Sequence, residues 1–309
     1  MAKNYILRRR TQERIDERVE RLLDRLGNPE PPLKLEHVRD ALELDRAYFQ
    51  KDDPSLMDDV ISMLRVAGKQ VIRRPTLFLD AVKKFDLRAF YLPDEKRILM
   101  DKDLHKLKYR WIEAHEIGHS LLPWHEGTML GDDKQTLRPN CHEQMEAEAN
   151  FAAARLLFLR DRFALEARDY EPGLEAVKAL QPRFNNTLTT TFWRCVEIWG
   201  ASTPIVGLVT GHPHPLKRDA EFNPNEPCTH FVQSPAFATG FKECIETDVF
   251  NMVVDYCSPA RGGRLGGADI VLHDDNGNPH VFEFETVKWG YALTLGIYRG
   301  PHQSILAAS

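Results

Sequence analysis

Two histidines four residues apart with a glutamate beside the first, His115-Glu116-Ile117-Gly118-His119, are the residues of this 309-residue chain best suited to chemistry. On a helix, residues four apart share a face, so both imidazoles can point at one divalent cation. Glu116 is turned about 100° away and can reach a water bound to that cation. A catalytic zinc takes three protein ligands and keeps a fourth position for water, so a third ligand is required. The best supply is the alanine-rich stretch His142 to Leu157, in which Met145, Ala149, Ala152 and Leu156 form an apolar helical stripe. Within it Glu146 shares a face with Asn150 and Ala153, whereas Glu148 lies about 200° around the helix and points elsewhere. Glu146 is therefore the expected third ligand. Ala147, Ala149, Ala152 and Ala153 are small enough to let the two helices approach closely. Asn150, one turn beyond Glu146, is placed to hold the second nitrogen of a ligating histidine and so fix its tautomer.

The chemistry of such a centre is hydrolytic. Zinc held by His115, His119 and Glu146 would lower the pKa of its water to about 7, Glu116 would take the proton, and the hydroxide would attack a peptide carbonyl. Mn2+ suits the same donors, with Zn2+ the commoner occupant. Tyr109, His125 and His142 are candidates for a further donor to the oxyanion. Each has an ordinary reading beside it: Tyr109 as helix packing, His125 as a loop residue past Pro123, His142 as a first-turn helix residue.

The elements that must position these groups follow from periodicity. Leu104, Leu107, Trp111, Ile112, Leu121 and Leu122 recur as on one buried face of a helix of about five turns, ended by Pro123. A strand Arg97–Met100 follows a turn at Pro93-Asp94 and is either an open sheet edge for an extended substrate or an ordinary covered strand. Arg8 to Leu26 alternates Arg with acids around Ile15, Val19, Leu22 and Leu23, an amphipathic helix. Glu171-Pro172-Gly173 breaks the helical texture. Next come two helices, Leu174–Gln181 and Thr187–Trp199, joined by a turn with Asn185-Asn186 in helix-turn-helix style. The second offers one basic residue, Arg194, which favours a structural or docking module over direct DNA binding.

From Ala201 the texture is β-rich: Pro204–Val209, His230–Val232, Asp269–Leu272 and Val281–Phe284, with one helix over Ser234–Val254 and a hairpin turn at Asp275-Asn276-Gly277-Asn278. Gly262-Gly263 and Gly266-Gly267 read as turns, His212 and His214 as an extended Pro-rich loop, and Glu283 and Glu285 as an outward strand face. The fold class is α+β, with domains 1–171, 172–200 and 201–309.

A net charge of -5 argues against a nucleic-acid-binding surface over the whole protein. The absence of a twenty-residue apolar span, and a basic amino terminus without an apolar core, favour the cytoplasm and no membrane contact. Five cysteines without a Cys-x-x-Cys pair read as reduced thiols. A redox sensor made of Cys228, Cys244 and Cys257 competes with the plainer reading of buried apolar groups.

His115 to His119, followed after a loop by Glu146-Ala-Glu-Ala-Asn150-Phe-Ala-Ala and Leu156-Leu-Phe-Leu159, resembles the ImmA/IrrE family of metallopeptidases. Pro31–Val38, Lys96–Met100 and Trp111–His115 resemble that family's lead-in helix, strand and entry to the metal motif, so the likeness spans about residues 15 to 200. Leu157-Phe-Leu-Arg160 departs from the family's usual Leu-Leu-Met-Pro, and Ala47–Lys83 looks like an insertion. The resemblance implies a zincin-like peptidase domain and a cytosolic zinc endopeptidase. Its partner and substrate would be a helix-turn-helix repressor, cleaved to release stress-response or mobile-element genes. It also implies, by analogy with one branch of the family, a GAF-like sensory domain at the carboxy terminus. The alternative is an anti-repressor that grips its partner without cutting, on a metal-stabilised peptidase fold; the presence of Glu116 weighs against it, since a structural zinc needs no such base.

Overall fold

The computed structural model describes residues 7–49, 89–103, 106–125 and 139–302. Most of the insertion-like segment lies outside these residues, as do Leu104 and the side chains of Leu107, Cys141 and His142. The fold is mixed α+β and divides into two units. The first is built on described residues between 7 and 163 together with 183–186, the second on 164–182 and 187–302. Among the described residues no helix is long and apolar enough to cross a membrane.

In the first unit α1 (Arg9–Arg25) buries Ile15, Val19, Leu22 and Leu23, the apolar face its spacing predicts. Helix α2 (Leu35–Leu42) leads into β1 (Asp45–Phe49). Two further strands, β2 (Ala89–Leu92) and β3 (Arg97–Asp101), complete a sheet of order β1-β3-β2. Strand β3 pairs parallel with β1 and antiparallel with β2, so the open-edge reading of Arg97–Met100 is corrected: it is the central strand. The physical reason is in the residues, since Ile98 to Asp101 are all buried and can face only protein on both sides. The edge is β2.

Helix α3 (Lys106–Leu121) packs against β2 and β3 and against α4 (Pro139–Leu157). Ala114, Ile117 and Leu121 are buried, while Trp111 and Ile112 are only half so. Glu113, on the same helix, is buried and lies 2.7 Å from Arg39 Nε and 3.0 Å from Arg46 Nη1, tying α2 and β1 to α3. Beyond Leu157 the chain turns through Leu159 and Arg160, both at φ 50°, which ends α4 without the family's proline.

Helices α5 (Asp161–Ala167), α6 (Leu174–Phe184) and α7 (Leu188–Trp199) follow. Phe184 returns to the first unit, its ring centroid 6.0 Å from that of Phe158 and 5.0 Å from that of Phe163. Thr187 caps α7 by accepting from Thr190 N–H at 3.1 Å. Arg194, the one basic residue of α7, is buried and paired with Glu197 at 3.0 Å.

The second unit carries an antiparallel sheet of β4 (Ile205–Thr210), β5 (Cys228–Gln233), β6 (Gly263–His273), β7 (Pro279–Trp289) and β8 (Tyr291–Pro301) in the order β5-β4-β8-β7-β6. The predicted hairpin turn joins β6 to β7. Where one helix was expected over Ser234–Val254 there are two, α8 (Pro235–Gly240) and α9 (Glu246–Tyr256). Ser234 caps the first, which buries Phe237, and the second buries Val249, Phe250 and Val253, all in the core with Phe231, Phe282 and Phe284. Of the two glycine pairs, Gly263, Gly266 and Gly267 belong to β6, with Gly262 just before it, and the register of β6 shifts between Arg264 and Gly266. A Cβ on Gly266 would stand 2.5 Å from Tyr256 O, and Ser258 N–H donates to Leu265 O at 2.8 Å. His212 is held by the backbone at both nitrogens, Nε2 to Ala260 O at 2.8 Å and Nδ1 to His214 N–H at 3.2 Å, which leaves neither free for a metal.

Candidate metal centre

The centre is made where α3 meets α4, and a glycine makes the meeting possible. A Cβ on Gly118 would lie 2.7 Å from Ala149 O, so the third residue after His115 must lack a side chain for the backbones to touch. That approach brings His115, His119 and Glu146 together with their ligand atoms within 4.8 Å of one another. His115 Nε2 is 3.2 Å from His119 Nε2 and 3.2 Å from Glu146 Oε2, and His119 Nε2 is 3.6 Å from Glu146 Oε1. Ligands on a tetrahedral zinc with bonds of about 2.0–2.1 Å stand roughly 3.3 Å apart, so each pair of side chains approaches to about the separation such an ion requires, the carboxylate meeting each histidine through a different oxygen.

The ring protons agree. His115 Nδ1 faces Asn150 Oδ1 at 3.0 Å, so the imidazole donates there and turns Nε2 toward the cluster. Burial alone would push the His115 imidazole down, but the hydrogen bond to Glu146 and the charges of Glu116 and Glu146 lift it above its ordinary value. The cluster favours positive charge. Two imidazoles and a carboxylate converging on one point fit a divalent metal.

Glu116 is buried at 6% exposure and points to the sheet side of α3. Burial pushes its carboxyl up to about 7; His115 pulls it down, Glu146 pushes it further up, and the backbone N–H of Tyr91 on β2 stabilises the charge by donating to it. A carboxyl so placed exchanges a proton near neutrality, as a general base should.

Of the remaining sequence candidates, Tyr109 packs its ring 5.9 Å from that of Tyr48, with the Arg46 guanidinium 5.8 Å away. His125 is neither on a loose loop nor turned to a substrate. It is fully buried, its Nδ1 3.0 Å from His119 Nδ1 and its Nε2 3.0 Å from Glu148 Oε2. Glu148 does point away from Glu146, as the helical angle requires, yet it meets the centre by way of His125. It also accepts from Trp124 Nε1 at 2.5 Å and Gln144 Nε2 at 2.7 Å. Burial opposes its charge, but these donors outweigh burial and hold the carboxyl below its ordinary value. The sequence carried a faint signal for this pair: Glu148 lies one turn beyond Gln144, and a histidine follows the active helix at once.

No curated protein matches the chain. A solved structure of a Mycobacterium tuberculosis transcriptional regulator aligns with 92% of this chain and 87% of that one at 15% identity and a TM-score of 0.49. Residues 68–191 match the family model of the IrrE N-terminal-like domain, Peptidase_M78. The segment that carries His115, His119 and Glu146 thus lies within the match to the IrrE N-terminal-like domain, the domain of the ImmA/IrrE family.

Proposed function

We propose that this protein is a zinc-dependent endopeptidase that cleaves a helix-turn-helix transcriptional repressor and thereby releases stress-response or mobile-element genes. One observation carries the reading: two imidazoles and a carboxylate converge on one point beside Glu116, a carboxyl whose burial raises its pKa. His115, His119 and Glu146 would hold the ion, which when bound would supply Lewis acidity and an acidified water. Glu116 takes the proton of the attacking water and passes it to the leaving amine. Asn150 holds His115 in the tautomer that leaves Nε2 free. Strand β2 has one sheet neighbour among the described residues, and its outer edge offers backbone groups to an extended substrate. The first unit is read as zincin-like and the β-rich unit as a GAF-like regulatory module, working in the cytoplasm on a protein partner.

The test is incubation of purified full-length protein with the helix-turn-helix protein encoded beside its gene, with and without chelator, beside Glu116→Gln. Metal-dependent fragments should form with wild type. The variant should keep its metal and cut at least about 100-fold more slowly. Tight binding with no cutting under any metal would replace the peptidase with a non-cleaving anti-repressor. Cutting by Glu116→Gln near the wild-type rate would remove Glu116 from its role.

A further inference from the structure

We infer that His125 and Glu148 are positioning residues, a buried relay that fixes the orientation and tautomer of His119 and sets how tightly the centre holds its metal. This rests on the metal reading above and adds to it two residues outside the ligand set. Between the facing Nδ1 atoms of His119 and His125, 3.0 Å apart, only one proton can sit. The far end of the chain decides whose it is. An ionised carboxylate can only accept, so His125 Nε2–H donates to Glu148, at 3.0 Å. With that proton on Nε2, the His125 ring turns its other nitrogen, Nδ1, to His119 and accepts the Nδ1–H of His119. His119 is left with its lone pair at Nε2, the atom that faces His115 and Glu146. One carboxylate thus assigns every proton in the row.

The row is built to stay so. His119, His125 and Glu148 are 4%, 0% and 3% exposed, and no water competes for their hydrogen bonds. The chain ends α3 at Leu121 and then folds back, with Leu122 N–H on His119 O at 3.2 Å and His125 N–H on Leu122 O at 2.8 Å, so the His125 ring returns to His119. Trp124 donates to Glu148, and its ring is covered by the Arg14 guanidinium 4.3 Å from the centroid. Glu148 in turn is held at its second oxygen by Gln144. Among the described residues His115 has exposed Asn150 behind it, so the two ligands are unequally supported there. Loss of the relay should cost more metal affinity than loss of Asn150.

Zn2+ affinity of the full chain, read by competition with a chromogenic chelator, tests this. The set is wild type, His115→Ala, Glu148→Gln, His125→Ala and Asn150→Ala, each also melted in excess chelator. An amide has one acceptor oxygen and cannot serve the three donors that surround Glu148. Glu148→Gln and His125→Ala should therefore weaken Zn2+ by about 10–100-fold, with Asn150→Ala weakening it less. In 15N-histidine spectra of the Zn2+-loaded protein, His119 should carry its proton on Nδ1. A purely structural role would lower the metal-free melting temperature and leave Zn2+ affinity and tautomer alone. Should Glu148→Gln fail to fold, Glu148→Asp keeps the charge, shortens the reach and carries the same test. Losses under about fivefold in the relay variants, beside a wild type that binds one Zn2+ and a His115→Ala that does not, overturn the relay. A wild type that takes up no stoichiometric Zn2+, or a His115→Ala that binds as wild type does, would instead overturn the metal reading.

Discussion

Cysteine reactivity is decided by the thiolate, and burial works against it throughout the second unit. Burial, with Glu246 nearby, pushes the Cys228 thiol up to about 12; burial and Asp248 push Cys244 up to about 11, and burial pushes Cys257 up to about 11. Cys195 rises well above its ordinary value for the same reason. An ordinary thiol near 8.5 is partly ionised at pH 8, whereas these are protonated, so a disulfide reagent at that pH should modify them at least about 100-fold more slowly than in denaturant. Peptide mass spectrometry of the labelled chain would read this cysteine by cysteine. Labelling of Cys244 at its denatured rate would revive the sensor reading that burial disfavours. The residues of the centre were unequally legible. His115, Glu116, His119 and Glu146 could be proposed from helical angle alone, because one-turn spacing determines which side chains share a face. His125 could not, because its contact with His119 depends on how the chain folds back after Pro123, and no periodicity records that.

The pairing of α3 with α4 makes a testable reversal of a helix rule. In an exposed helix, glycine to alanine stabilises by about 1 kcal/mol. At Gly118 the added methyl would meet Ala149 O at 2.7 Å, so Gly118→Ala should destabilise by about 1–3 kcal/mol and weaken the metal site as the helices part. Urea titrations in chelator would settle the sign, and a stabilised variant would contradict the close packing. The β6–β7 hairpin makes a second test. The Asn278 side chain, with help from backbone N–H groups of Asn276 and Asn278 and from His280, holds the Asp274 carboxyl well below the usual carboxylate range. A folded-state value lowered in this way contributes stability that is present above the unfolded value of about 3.9 and is lost as pH falls below it. Asp274→Ala should therefore cost more stability at pH 7 than at pH 2; an equal loss at both would show that its charge is irrelevant. Alternation and the Asn-Gly turn made this hairpin readable beforehand, whereas the split of the expected Ser234–Val254 helix was not. Ser234 is a capping residue at the start, but the break after Gly240 depends on Phe241 entering the core, a long-range preference.

At the level of the whole chain, helix breakers such as Pro172-Gly173 say where helices stop but not which unit a helix serves. Membership is decided by contacts such as those of Phe184 with Phe158 and Phe163, and of Asn186, which accepts from Arg110 Nε at 3.4 Å and donates to Leu157 O at 3.5 Å. A chain ended after Phe163 lacks that ring and should lose about 3–5 kcal/mol against one ended after Asn186. Equal melting temperatures for the two truncations would show that the returning segment is dispensable. The rim of the larger sheet has a different consequence. Among the described residues strand β6 has β7 as its one sheet neighbour, and an edge strand of eleven residues is a template on which a second copy could stack and fibres could grow. The register shift at Arg264 and Gly266 kinks that rim, and Ser258 occupies the Leu265 carbonyl. Exposed Arg264 and Asp269 would have to be desolvated by any newcomer. The same glycine-rich run that reads as a turn from sequence therefore acts as a guard that keeps copies of the protein from polymerising through their sheets.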